Sequence, residues 1–328
     1  MPARIPPGRP DRYPGFGRLL VMRALLVVNP NATTTTERSR DVLTRALRSQ
    51  VDLEVGYTRR RGHAAQLAAD ATRTGFDVIV TLGGDGTVNE VVNGMLTDGP
   101  GPQVPALAVV PGGSTNVFAR ALGLPADWAE GTGVLLEALR EKRTRTIGLG
   151  RAGDRWFTLS AGVGLDAETI RRVEQARTRG RTATKGLYVR SALTQYLTGT
   201  DRRTAPITLR RPGAEPQRHL SLAIVQNTAP WTYFGNYPVN PCPDAGFDTG
   251  LDVLALRGLP LATTLRAVQQ MLSPRSRPRG NRVVALHDVS EFTLSCLNPL
   301  AFQVDGDYLD ERDEITFRSA PEALRVVC

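Results

Sequence analysis

"VTLGGDGTVNEVVNGM", residues 80–95, joins two textures of sequence. It begins inside an apolar run, "FDVIVTL" (76–82), and ends with Val88, Val91, Val92 and Met95 at helical spacing. A run that is apolar throughout suits a strand buried on both faces. The stretch therefore predicts a buried strand, a glycine loop and a helix. Gly83, Gly84 and Gly86 leave the backbone bare where the helix begins. Free N–H groups and the positive end of the helix dipole favour phosphate there. Asp85 stands among those glycines, and a carboxylate repels phosphate unless it handles a metal or a proton. Thr87 and Glu90 form a Thr-x-x-Glu pattern, read as a capping box rather than as catalytic residues.

Outward from this stretch the pattern repeats. Strands are predicted at 22–30, 52–58 and 105–113. Helices are predicted after the threonine run Thr33–Thr36, at 63–73, at 115–122 and at 127–140. The first of these helices carries Val42, Leu43, Ala46 and Leu47 on one side. Such alternation gives a parallel sheet covered on both faces. From about residue 145 short strands and Gly/Pro turns dominate, with helical stretches at 166–178 and 186–198. The fold expectation is an α/β N-terminal domain (22–144) followed by a C-terminal antiparallel β-sandwich domain (145–313). Residues 1–21 contain no continuous apolar stretch and read as a disordered leader, with Met22 an alternative start.

The chain has 328 residues, 41% hydrophobic and 22% charged, an ordinary globular composition. Its net charge is +9, and lysine occurs only at Lys142 and Lys185. Base composition explains such an arginine excess, and so does an anionic partner. Cys242, Cys296 and Cys328 are scattered, which supports neither a disulfide framework nor a zinc site and fits a cytoplasmic setting. No apolar run reaches the roughly 20 residues of a membrane-spanning helix.

Two more strand ends repeat the device of the glycine loop. "VVPGGSTNVFAR" (109–120) again runs strand, glycines, hydroxyls and helix, and the first strand ends in Asn29-Pro30-Asn31. Three polar loops converging on one cleft support a nucleotide site. There is no Walker A motif, no G-x-G-x-x-G after the first strand and no G-x-S-x-G elbow. His63, His219 and His287 sit in no triad-like pattern, and His63 reads as a residue at a helix start.

"NPNA", "VTLGGDGTVNEVVNGM", "PGGSTNVFARALGLP", "AGVGLDAE" and "FQVDGD" together resemble the bacterial diacylglycerol kinase and sphingoid-base kinase family of lipid kinases. The resemblance runs from about residue 23 to 328. It implies ATP- and Mg2+-dependent phosphorylation of a lipid hydroxyl between an α/β domain, shaped like those of phosphofructokinases and NAD kinases, and a β-sandwich. It also implies a return of the last segment, 314–328, to the first domain. By resemblance, Asn29, Asn31, Gly83, Gly84, Gly86, Thr87, Gly112, Gly113, Ser114 and Asn116 line the nucleotide, and Asp85 holds Mg2+, directly or through water. Asp307 occupies the place of the family's general base, one methylene shorter than the usual Glu. From the sequence alone, Asp305-Gly306 also reads as a hairpin turn. Val117 stands where many members carry Asp. Asp248, in "GFDTGLDV", is a candidate ligand of a structural metal, with a plain turn as the alternative.

The leading expectation is conversion of diacylglycerol to phosphatidic acid, with a sphingoid base or another lipid alcohol as alternative acceptor. An NAD kinase and a non-enzymatic basic nucleotide-binding protein are more remote. The expected partner is lipid at an anionic membrane surface, contacted peripherally from the cytoplasmic side. The basic groups available for this are Arg171, Arg172, Arg177, Arg179, Arg181 and Lys185, together with the loop 273–280. The aromatics of 231–238 are read as core packing or an interfacial belt. No nucleic-acid motif is present, and homodimerisation is left open.

Overall fold

The computed structural model describes residues 22–179, 185–200, 204–273 and 275–328. The leader read in 1–21 lies outside the described residues, as do Arg181 and the side chain of Lys185. Strands β1 (Arg23–Val28), β2 (Asp52–Tyr57), β3 (Val78–Gly83) and β4 (Ala106–Pro111) pair in parallel in the order β4-β3-β1-β2. Side chains alternate across this sheet: Leu25 and Val27 enter one apolar cluster, Ala24, Leu26 and Val28 the other. Helices α1 (Glu37–Arg48), α2 (His63–Arg73), α3 (Asp85–Met95), α4 (Val117–Ala121) and α5 (Trp128–Glu141) cover it. α1 and α5 lie on one face, and α2, α3 and α4 on the other. In α1 the contact is made by Leu43 and Leu47, four residues apart, whereas Val42 points to solvent, contrary to expectation.

The chain then builds β5 (Thr144–Ala152), β6 (Arg155–Phe157), β7 (Ser160–Gly164), α6 (Leu165–Thr178) and α7 (Lys185–Thr194), the last prolonged by a π-helical turn over Gln195–Gly199. β8 (Ile207–Arg210), β9 (Gln217–Leu220), β10 (Leu222–Gln226), the small hairpin β11 (Thr232–Phe234) and β12 (Tyr237–Val239), and β13 (Leu251–Leu256) follow. α8 (Leu261–Met271), β14 (Val283–Val289), β15 (Glu291–Val304) and β16 (Asp307–Val327) complete it. α8 is absent from the sequence expectation.

Pairing between β7, β10, β13, β14, β15 and β16 is antiparallel. β15 pairs with β8 through Thr293–Cys296 and with β7 through Phe302–Val304, shifting register between Ser295 and Leu300. This bend folds the strands into two layers around Phe157, Phe292, Phe302 and Phe317. β10 and β13 are apolar on both faces because α8 and the π-helical turn cover their outer side through Tyr196, Ala267 and Met271. β16 pairs with β15, then with β5, and meets β4 in parallel at Val326–Leu107. Parallel and antiparallel regions thus form one mixed sheet of fourteen strands.

Candidate active site

β1, β3 and β4 end side by side, and their loops touch. The Gly112 N–H donates to Gly83 O (2.8 Å), and the Thr34 N–H donates to Gly112 O (2.9 Å). A Cβ on Gly113 would lie 2.6 Å from the Gly84 Cα, and one on Gly112 would lie 2.9 Å from the Gly83 nitrogen. The two glycine pairs therefore stack backbone on backbone, a second reason for glycine besides room for a phosphate. Asn116, at φ 48°, accepts from the Gly113 N–H (2.8 Å) and donates back to Gly113 O (2.9 Å), fixing the second loop. Asn29 donates to Thr87 Oγ1 (3.2 Å) and accepts from the Asn31 N–H (3.0 Å), tying the first loop to α3. Ser114 and Gly86 are exposed on these loops, the Ser114 hydroxyl lying 3.5 Å from that of Thr115. The Thr35 hydroxyl is buried and has no hydrogen-bond partner among the described residues, and a Cβ on Gly112 would lie 2.7 Å from it. A buried, unpaired hydroxyl is costly unless something outside the protein completes it. The sequence reading named the threonine run without singling out Thr35.

The structure gives Asp85 a neighbour that the sequence did not reveal. Its Oδ2 accepts from the Val117 N–H (3.1 Å) and its Oδ1 from the Phe118 N–H (2.9 Å), at the start of α4. Burial raises its pKa; those two N–H groups oppose the shift, and nearby Asp305 adds to it. Each oxygen carries one donor and keeps lone-pair capacity. One carboxylate plus phosphate and water oxygens is a donor set that Mg2+ accepts, so the residues present fit that ion. Among the described residues no group of three or more His, Cys, Asp or Glu side chains converges on a single point. Val117 is buried, and only its N–H takes part.

Glu90 corrects the capping-box reading. α3 has Gly84 as its N-cap without a side-chain bond. The Glu90 carboxylate instead accepts from Gly62 N (2.8 Å) and Ala64 N (3.1 Å), capping the neighbouring α2. The reason is geometric: Gly84 to Thr87 already close the first turn of α3 through backbone bonds, and α2 packs directly against α3. His63 sits at the start of α2, its Nδ1 accepting from the Arg59 N–H (3.1 Å).

Opposite α3 lies the hairpin of β15 and β16. Val304 pairs with Asp307, and Asp305 (φ 48°) with Gly306 (φ 83°) forms the two-residue turn. Asp305 is an anchor: it accepts from the N–H groups of Thr158, Leu159 and Ser160, from Thr158 Oγ1 and from Asn89 Nδ2, all within 2.9 Å. Asn89 lies one turn after Asp85, so the hairpin is fastened to the glycine-loop helix. Asp307 follows the turn, partly exposed, with Oδ1 3.2 Å from Arg61 Nη2. Arg61 also reaches Glu174 of α6 (3.3 Å), bridging the two halves. The turn is formed by Asp305-Gly306, and Asp307 beyond it keeps a partly exposed carboxylate beside Arg61. Arg61 was missed as a partner of Asp307 because nothing local in sequence links them.

Asp248 is set apart from these loops; its largely exposed carboxylate meets Arg145 at 2.5 Å. Arg171 is held by Glu168 and Glu311, and Arg172 by Gln195, so these two guanidinium groups turn toward the protein. In the 231–238 segment Trp231 and Tyr233 pack inward, whereas Phe234 and Tyr237 project outward.

Residues 23–152 match the model of the family described as the diacylglycerol kinase catalytic domain. A diacylglycerol kinase of Staphylococcus haemolyticus is 36% identical over 123 residues, 37% of this chain and 35% of that protein. One from Bacillus subtilis (strain 168) is 33% identical over 145 residues, 43% of this chain and 46% of that protein. The matched segment thus spans less than half of these curated relatives. The crystal structure of a diacylglycerol kinase from Bacillus anthracis (strain Sterne) shares the fold at TM-score 0.69 and 18% identity, covering 94% of this chain and 97% of that one. Another chain from that strain reaches TM-score 0.74 at 20% identity, with the same coverage. Residues 23–152 are thus similar to the diacylglycerol kinase catalytic domain, and the chain as a whole shares the fold of the Bacillus anthracis structures.

Proposed function

We propose that the chain is an ATP-dependent kinase of a lipid hydroxyl, with diacylglycerol as acceptor and phosphatidic acid as product, acting at an anionic membrane surface on the cytoplasmic side. One observation carries the reading. The stacked glycine loops at the start of α3 and the Asp305 turn are fastened to the same helix through Asn89, so that the loops would serve as a phosphate cradle with Asp307 as the nearby acid. Phosphoryl transfer needs positioning and charge neutralisation more than covalent chemistry. The open N–H groups around Gly84 and Gly86, with the Ser114 and Thr35 hydroxyls, would hold the phosphates of ATP. Asp85 would hold Mg2+, which when bound neutralises charge on the phosphate oxygens. Asp307 would take the acceptor proton as the new O–P bond forms and the bond from the γ-phosphorus to ADP breaks. Arg61, now paired with Asp307, would neutralise charge on the transferred group. A sphingoid base or another lipid alcohol would use the same groups.

The test is turnover of labelled ATP by the pure protein with dispersed dioctanoylglycerol, sphingosine or NAD. Labelled phosphatidic acid is the expected product; NADP, or no product, overturns the reading. Asp307→Ala should lower kcat by about 10²–10⁴-fold, with the KM for ATP nearly unchanged, and Asp307→Glu should retain substantial activity. Normal turnover in Asp307→Ala would remove that residue from the chemistry.

A further inference from the structure

Two helices of the antiparallel half leave their outer sides bare. Val189, Leu193 and Leu197 recur every four residues along α7 and its π-helical extension. Leu261, Leu265, Val268 and Leu272 recur at helical spacing along α8 and its C-cap. All seven are 44–59% exposed, although they are large and apolar. Both helices are seated on the same sheet layer: Tyr196 shares an apolar cluster with Ala267 and Met271, and its hydroxyl donates to Leu259 O (3.0 Å). The two stripes therefore face outward on one side of the molecule. Single exposed apolar residues are ordinary, but two adjacent stripes form a patch of the kind that marks an interaction surface.

Charge indicates what covers it. From Arg257 to His287 the sequence has six arginines and no carboxylate, and 185–200 likewise has none. Arg190, Arg266, Arg275 and Arg279 are exposed, and none belongs to an ion pair among the described residues. A second copy of the chain would set these arginines against their own kind. An anionic bilayer would meet them with phosphates while its acyl region received the leucines. The surface also leads toward the candidate site: α7 packs on α6, whose Glu174 meets Arg61, the ion-pair partner of Asp307.

We infer that the outer face of α7 and α8 inserts into an anionic lipid surface and presents the acceptor to Asp307. Its purpose rests on the lipid-kinase reading; its geometry does not. The full-length protein and a Leu193→Glu/Leu265→Glu variant should be floated with equimolar phosphatidylglycerol–phosphatidylcholine vesicles. Binding by the variant should fall at least about tenfold, as removal of two leucines from an apolar phase implies. A Leu265→Trp variant should show a blue-shifted emission and quenching by brominated acyl chains beyond that of the wild type. Equal binding by the Glu variant, or quenching no greater than wild type, overturns the inference. So does a wild-type dimer in light scattering that the Glu substitutions convert to monomer, since a second copy would then cover the face. Phosphorylation of dioctanoylglycerol dispersed below its aggregation limit should be equal in both proteins. If neither phosphorylates any lipid while the binding difference holds, the kinase reading fails and the insertion surface stands.

Discussion

Asp166 opens α6 with a carboxylate that is buried and receives one donor, Gln303 Nε2 at 2.7 Å. Gly162 must be glycine here, since a Cβ would fall 1.9 Å from an oxygen of that carboxylate. Burial lifts the Asp166 pKa from 3.8 to about 6, the Gln303 bond opposing it. A raised folded-state pKa means that the fold prefers the protonated acid. The stabilisation it brings is complete below pH 4 and is lost as pH rises through 6. At pH 7.5 the buried charge therefore costs about 3 kcal/mol. Asp166→Asn keeps the acceptor for Gln303 and removes the charge. Urea unfolding should find the variant more stable by up to about 3 kcal/mol at pH 7.5, a margin that closes by pH 4. A constant margin across that range would show that the carboxyl does not titrate as described. The site is involved as well, because Gln303 Oε1 accepts from the Gly306 N–H (2.9 Å) in the turn that sets Asp307.

Between elements, α2 and α3 approach backbone to backbone. A Cβ on Gly94 would lie 2.1 Å from Ala65 O, so that crossing is set by a missing side chain. Helix propensity alone gives Gly→Ala in a helix a gain of roughly 1 kcal/mol. Overpacking against backbone costs about 1–3 kcal/mol or more. Gly94→Ala should therefore lose stability in urea unfolding, and a gain would mean that the helices separate freely. This crossing also supports the cleft, since Glu90 caps α2 from α3. The sequence revealed the strand–glycine–helix units because apolar period and glycine position coincide in them. It did not reveal Glu90's partner or Arg61's, because both contacts join residues far apart in the chain. α8 was hidden by Thr263 and Thr264, which suit strands, and by an apolar stripe that faces outward as well as inward. β15 and β16 run on through Asn298-Pro299 and Ala320-Pro321, dipeptides that suit turns in a region expected to hold only short strands. Both lie at register shifts inside continuous strands. The glycine loops and Asn29–Asn31 were legible as a group at three strand ends, whereas the Asp85 bonds to α4 were not: a carboxylate among glycines gives no hint of which N–H groups it will meet.

Across the whole molecule, one strand decides whether the parallel and antiparallel regions behave as a unit. β16 starts beside the candidate base and ends in the core of the parallel region. Ala323, Leu324 and Val326 pack with Phe118, Ile147 and Phe247 on one face, and Val327 joins Leu26 and Val80 on the other. Its Val326 pairs with β4, whose own neighbour is β3, the strand that delivers the glycine loop. A cavity at Leu324 should therefore be felt at the glycine loop after β3, more than two hundred residues earlier in the chain. Leu324 is 1% exposed, and Leu→Ala at such a position costs about 2–5 kcal/mol. If the sheet unfolds as one cooperative body, Leu324→Ala should lower hydrogen-exchange protection in β3 and β4 as much as in the last residues of β16, since all would exchange through the same opening. If only residues 319–327 lose protection, the end of β16 is a separable flap, and the Asp307 hairpin keeps its place through Asp305, Asn89 and Arg61 instead.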